Sequence, residues 1–149
     1  MTASMIRTVH NCWEEMWVEY NRIDHARGRA PDDSSDWQEK RRFLMMGEKM
    51  KECLEAIEAT QIVILHQVPH SIDDATILAY HAHLLTDATD KLKRKERAAV
   101  DCATESIFTY LATTEAAGEL VKGRQFADAV KYGRERRDAR LGKAEEAVQ

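Results

Sequence analysis

A chain of 149 residues with 44% hydrophobic residues and a formal net charge of −4 has the length and composition of one folded domain. Its six glycines and two prolines are few, and its apolar set is mostly aliphatic, Met and Ala, which favours helix. A pI near 5.9 argues against a dedicated nucleic-acid domain, usually strongly basic. The cysteines Cys12, Cys53 and Cys102 are odd in number and widely spaced, which argues against a disulfide framework.

The N-terminal segment MTASMIRTVHNCWEEMW has no uninterrupted apolar stretch, so no signal peptide is read. The spacing of Val9, Trp13, Met16, Tyr20 and Ile23 predicts a first helix from about Ser4 to about Arg27. Gly28, Pro31 and a run of Asp and Ser end it. A second helix is expected from a capping box of Ser35 with Gln38. It runs as far as Gln67, where Pro69 stops it. Phe43, Met46, Met50, Cys53, Ile57, Thr60 and Ile64 keep one apolar seam along it. Gly47 interrupts without breaking.

Ser71, with Asp73 and Asp74 in the first turn, predicts the start of a third helix, carrying Leu78, His81 and Leu85 inward. The segment Lys91 to Arg97 is nearly all charge and cannot face a core. A fourth helix is expected over about Lys95 to Ala117, with Ala99, Ala103, Ile107, Tyr110, Leu111 and Thr114 on its apolar side, ended by Gly118. The rest has helical propensity but little to bury, and a loosely docked helix is expected through about Arg140. No apolar run approaches the ~18 residues of a membrane span. The expected architecture is all-α, an up-and-down helical bundle of four main helices over 1–118 with a charged C-terminal helical tail over 119–149.

Charge is unevenly placed: residues 1–90 hold 9 Lys+Arg and 16 Asp+Glu, whereas residues 91–149 hold 13 and 10. Such a dipole favours antiparallel self-association or a charged partner.

No catalytic constellation emerges. None of His10, His25, His66, His70, His81 and His83 follows an acid at the three-residue spacing of di-metal carboxylate bundles. Glu15 with Glu19, and Glu48, Glu52, Glu55 and Glu58, are one turn apart, but the latter set lies off the apolar seam and reads as a solvated face. No GxSxG, phosphate loop or dinucleotide fingerprint occurs. No cofactor and no metal are therefore expected.

Two surface features remain. The run Phe43 to Met46 wraps more than one side of helix two, and Trp and Met are favoured at adaptable interfaces. Phe43, Met46 and Met50 are accordingly candidate partner-binding residues. So are the tail arginines Arg134, Arg136, Arg137 and Arg140, which can grip an acidic face. Lys91, Lys93, Arg94, Lys95 and Arg97 are candidates for phosphate-backbone contact. The expected function is a non-enzymatic protein-interaction module of the cytoplasm, a regulatory or accessory subunit working through helix faces. It associates with another protein or with itself, as a homo-oligomer or hetero-complex, and needs no membrane. The alternatives are an accessory subunit of a nucleoprotein assembly and a metal- or ligand-binding bundle using His81.

Overall fold

The computed structural model describes residues 3–88, 90–114, 117–118 and 122–148, and the side chains of all of these but 140, 141 and 144–148. Every regular element of more than one turn among the described residues is an α-helix. There are five: α1 (Met5–Arg27), α2 (Trp37–Leu65), α3 (Ile72–Asp87), α4 (Arg94–Ala112) and α5 (Arg124–Val148). None is long and apolar enough to cross a membrane among the described residues. The chain divides into two compact units, Met1–Ile64 and Leu65–Gln149.

The first unit is a helical hairpin. Ser4 caps α1 by accepting from the Arg7 amide at 3.1 Å, which satisfies one of the orphan donors of a helix start. Gly28 ends the helix with φ 65°, a backbone region that glycine enters without a Cβ clash. In the connecting loop the Asp32 carboxylate accepts from the Ser34 hydroxyl at 2.6 Å, the Ser34 amide at 3.1 Å and the Ser35 hydroxyl at 3.2 Å. These bonds, the Ser34 hydroxyl first, lower the Asp32 pKa, since they favour the ionised form.

Ser35 is thus spent on the loop, and the capping box expected between Ser35 and Gln38 does not form. Asp36 caps α2 instead, accepting from the Glu39 amide at 2.8 Å. A carboxylate at that position also suits the positive end of the helix dipole. At its other end α2 stops at Leu65, two residues before the expected Gln67, ahead of the restriction that Pro69 places on the preceding backbone.

The two helices run antiparallel. Arg27 Nε donates to the Phe43 carbonyl at 3.0 Å, while Cys53 Sγ donates to the Met16 carbonyl at 3.3 Å. Later residues of one helix meet earlier residues of the other. The seam is as expected: Trp13 and Ile23 are buried on α1, and Met50, Ile57 and Ile64 on α2. Phe43, Met46, Cys53 and Thr60 complete it half-buried. Each fully buried aliphatic side chain contributes roughly 1.5–3 kcal/mol. Gly47 has a specific use. A Cβ there would lie 2.5 Å from Arg27 Nη2, so the missing side chain lets the guanidinium lie across α2 and over the Phe43 ring, 3.7 Å from its centroid.

The second unit holds α3, α4 and α5. Ser71 accepts from the Asp74 amide at 3.1 Å, and the buried Asp74 carboxylate accepts from the His70 amide at 3.0 Å. This reciprocal arrangement fixes the start of α3. Ala75, Ile77, Leu78 and His81 form its buried side.

Helix α4 departs from expectation. It ends at Ala112 rather than near Ala117. Its buried face is Ala99, Cys102, Ala103, Ser106, Thr109 and Ala112. Ile107 and Tyr110 are half-buried and Leu111 is exposed. Small residues at intervals of three and four let neighbouring backbones approach closely, and the larger residues flank the contact. Thr109 is fully buried, with its hydroxyl donating to the Glu105 carbonyl at 2.8 Å. On α5, Gly133 sits against it: a Cβ there would lie 2.7 Å from Thr109 Oγ1. The rings of Phe108 and Phe126 meet edge to face at 5.3 Å on the same pair of helices. Helix α5 also continues to Val148, beyond the expected Arg140.

Candidate functional site

The buried seam of α2 leaves its opposite side to solvent. Counting at about 100° per residue from Trp37, Met50, Ile57 and Ile64 cluster on one side. Trp37, Arg41, Leu44, Met45, Glu48, Glu52 and Glu55 cluster on the other. Trp37 is 64% exposed, Leu44 66% and Met45 52%. Large apolar side chains this exposed, gathered on three turns of one helix, differ from the scattered apolar exposure of any protein surface.

Cations surround them. The Arg41 guanidinium lies 5.7 Å from the Trp37 ring centroid, a cation–π contact at helical spacing. Arg42 Nη2 donates to the Ala26 carbonyl at 3.3 Å at the end of α1. Trp37, Gln38, Arg41, Arg42, Met45, Met46 and Lys49 line an open groove of about 540 Å³. The site is a shallow basic and aromatic shelf. Farther along the same side of α2 the charge reverses, with Glu48, Glu52, Glu55 and Glu58 all exposed.

The candidate partner-binding residues fall in different places. Phe43 and Met46 are half-buried and Met50 is buried, on the seam side. Phase along the helix separates them from Leu44 and Met45, which a run of four apolar residues conceals. On α5, Arg134 is exposed and lines a cleft of about 350 Å³ with Ala112, Phe126 and Val130. Arg136 lies 4.2 Å from the Tyr132 ring centroid and 3.5 Å from the Glu105 carboxylate. The hydrogen bond with Tyr132, and less strongly the Glu105 charge, raise its pKa. Arg137 pairs with the adjacent Asp138 at 3.8 Å. The side chain of Arg140 lies outside the described residues. Lys91, Lys93, Arg94, Lys95 and Arg97 are all exposed where the chain enters α4. Lys93 occupies the capping position of α4 with no side-chain cap hydrogen bond.

Elsewhere, local pairs engage some of the titratable groups. Glu19 receives both Arg22 Nε at 2.8 Å and Nη2 at 2.7 Å, and that hydrogen bonding lowers its pKa. His10 lies 3.6 Å from Glu14 and stacks on Trp13. His81 is fully buried, edge-on to Tyr80 at 5.4 Å. Among the described residues no three His, Cys, Asp or Glu side chains gather as a metal ion would require. Cys12, Cys53 and Cys102 are free thiols.

Comparison of the chain with protein-family models, with curated proteins and with solved structures gives no significant match.

Proposed function

We propose that this protein is a non-enzymatic interaction module, a cytoplasmic adaptor, inhibitor or accessory subunit that works by presenting a helix face. One observation carries the reading: Trp37, Leu44 and Met45 stand exposed on the side of α2 that its own hairpin does not use. Aromatic and Met side chains beside Arg are the composition of interface hot spots. Burying them on a partner recovers apolar area that folding leaves in water. Arg41 and Arg42 add orientation through charge-assisted hydrogen bonds to a partner's carboxylates.

The test is native mass spectrometry of the untagged protein, isolated from its own host, as wild type and as the Trp37→Ser, Leu44→Asp double variant. The reading expects a species carrying additional protein mass that disappears in the variant while the variant stays folded. Its persistence in the variant, or a clean 17.1 kDa monomer in both, contradicts the reading.

A second reading rests on the five exposed cations between Lys91 and Arg97: contact with a phosphate backbone in a nucleoprotein assembly. Affinity would then fall steeply with salt. Reversing Arg94, Lys95 and Arg97 to Glu is expected to abolish retention of RNA or DNA in a gel shift, and unchanged retention removes this reading.

A further inference from the structure

We infer that the tip of the α1–α2 hairpin is an anion site: a small arginine-lined cavity that takes a dianionic phosphoryl group, as free phosphate or as the head of a small phosphate monoester. The site lies within the first unit and does not depend on the outward face of α2.

Three segments meet around the cavity, whose volume is about 200 Å³. Arg27 comes from the end of α1, Arg29 from the loop that follows and Arg42 from the second turn of α2. Phe43 and Met46 supply apolar wall. Pockets for drug-sized ligands start at roughly 300 Å³, so this volume suits one compact group.

Two of the guanidiniums are held by neutral groups. Arg27 Nε donates to the Phe43 carbonyl at 3.0 Å, with Cζ 3.7 Å from the Phe43 ring centroid. Arg42 Nη2 donates to the Ala26 carbonyl at 3.3 Å. A guanidinium carries five N–H donors, so most remain available. Arg29 has no hydrogen-bond or ion-pair partner among the described residues. The acid on the lining is Glu39. In the adjoining loop, the Asp32 carboxylate is committed to Ser34 and Ser35. The end of α1 adds the equivalent of about half a negative charge. Glu39 and the helix end together therefore leave the three guanidiniums in excess by about one and a half charges.

Cations gathered in this way repel one another, and an ion of charge −2 converts the repulsion into attraction. A phosphoryl group offers acceptor oxygens to planar guanidinium forks that approach from different segments. The other clefts differ. Lys131 and Arg134 share theirs with Glu135 and Asp138, and Arg136 shares its own with Asp101 and Glu105. The cations of the α2 shelf all project from one helix.

NMR titration of the 15N-labelled full chain tests the site, with inorganic phosphate and glycerol phosphate as probes. Sodium acetate is the control, and ionic strength is held constant with sodium chloride. Both phosphates are expected to give saturable shifts at the Gly28, Arg29 and Phe43 amides and at the arginine Nε–H groups, whereas acetate is not. Tighter binding of glycerol phosphate assigns a monoester, and tighter binding of inorganic phosphate assigns the free ion. Arg29→Ala removes no contact of the fold and is expected to weaken binding at least fivefold. Arg29→Lys, which keeps the charge without the fork, is expected to recover part of the loss. Glu39→Gln is expected to tighten binding at least twofold. Shifts that do not saturate with either phosphate overturn the inference. So do equal shifts with acetate, or an affinity unchanged in both Arg29→Ala and Glu39→Gln.

Discussion

The α1–α2 and α4–α5 contacts solve the same packing problem with opposite materials. The first interlocks large side chains: Trp13 and Ile23 on one helix, Met50, Ile57 and Ile64 on the other. The second closes most tightly at a small residue: Gly133 of α5 lies against the buried Thr109 of α4, where a Cβ would be 2.7 Å from the hydroxyl. Large seams draw stability from buried area. Small seams draw it from closeness, and they tolerate added volume poorly. The comparison also explains the surface. The hairpin's seam uses a single side of α2, so Trp37, Leu44 and Met45 remain outside it, whereas α4 keeps no comparable surplus.

Placing a charge in the large seam should have the greatest effect. Met50→Asp buries an unpaired carboxylate where a well-packed thioether stood, and about 3–5 kcal/mol of stability should be lost. Urea unfolding followed by circular dichroism measures it, and a loss under about 1 kcal/mol would place Met50 outside the core.

Adding volume to the small seam comes next. Gly133→Leu forces a side chain onto the buried Thr109 hydroxyl and should cost about 1–3 kcal/mol. Hydrogen exchange should quicken in α4 and α5 and leave α1 unchanged. Uniform protection across the chain would mean that the close approach at Gly133 is not a constraint.

The outward face of α2 should respond least in stability. Leu44→Asp replaces one exposed side chain by another and is expected to stay within about 0.5 kcal/mol of wild type. The smallest effect concerns the loop between the two helices of the hairpin. The Ser34 and Ser35 hydrogen bonds depress the Asp32 pKa. Their support is therefore present above the unfolded-state value and is lost as pH falls through the lower folded value. NMR titration of the Asp32 carboxyl carbon should place its midpoint below the usual carboxylate range, and Ser34→Ala should move it back up. A midpoint at the ordinary value would show that the loop bonds do not form.

Reading the sequence works well where side chains are large and periodic. The seam from Phe43 to Ile64 and the α1 seam through Trp13 and Ile23 were both legible, because heptad spacing of bulky residues is visible in one dimension. The α4 face was legible only in part. Ile107, Tyr110 and Leu111 carry more hydrophobicity than Ala99 or Ser106, yet the smaller residues occupy the contact. The close approach of Gly133 to Thr109 left no local trace at all. The capping residue of α2 was displaced by one because Ser35 and Asp36 have the same capping chemistry. Only the loop geometry, which commits Ser35 to Asp32, decides between them. At the candidate site, Leu44 and Met45 were hidden in a run of four apolar residues. The signal that separates them is their phase relative to Met50 and Ile57.

The central claim is that α2 carries two apolar faces, one for folding and one for association. The most direct test measures both properties on Leu44→Asp: the urea midpoint, and the native mass of the untagged protein isolated from its own host. The account predicts an unchanged midpoint together with loss of the associated species. A midpoint lowered as far as that of Met50→Asp would contradict it, since Leu44 would then belong to the core.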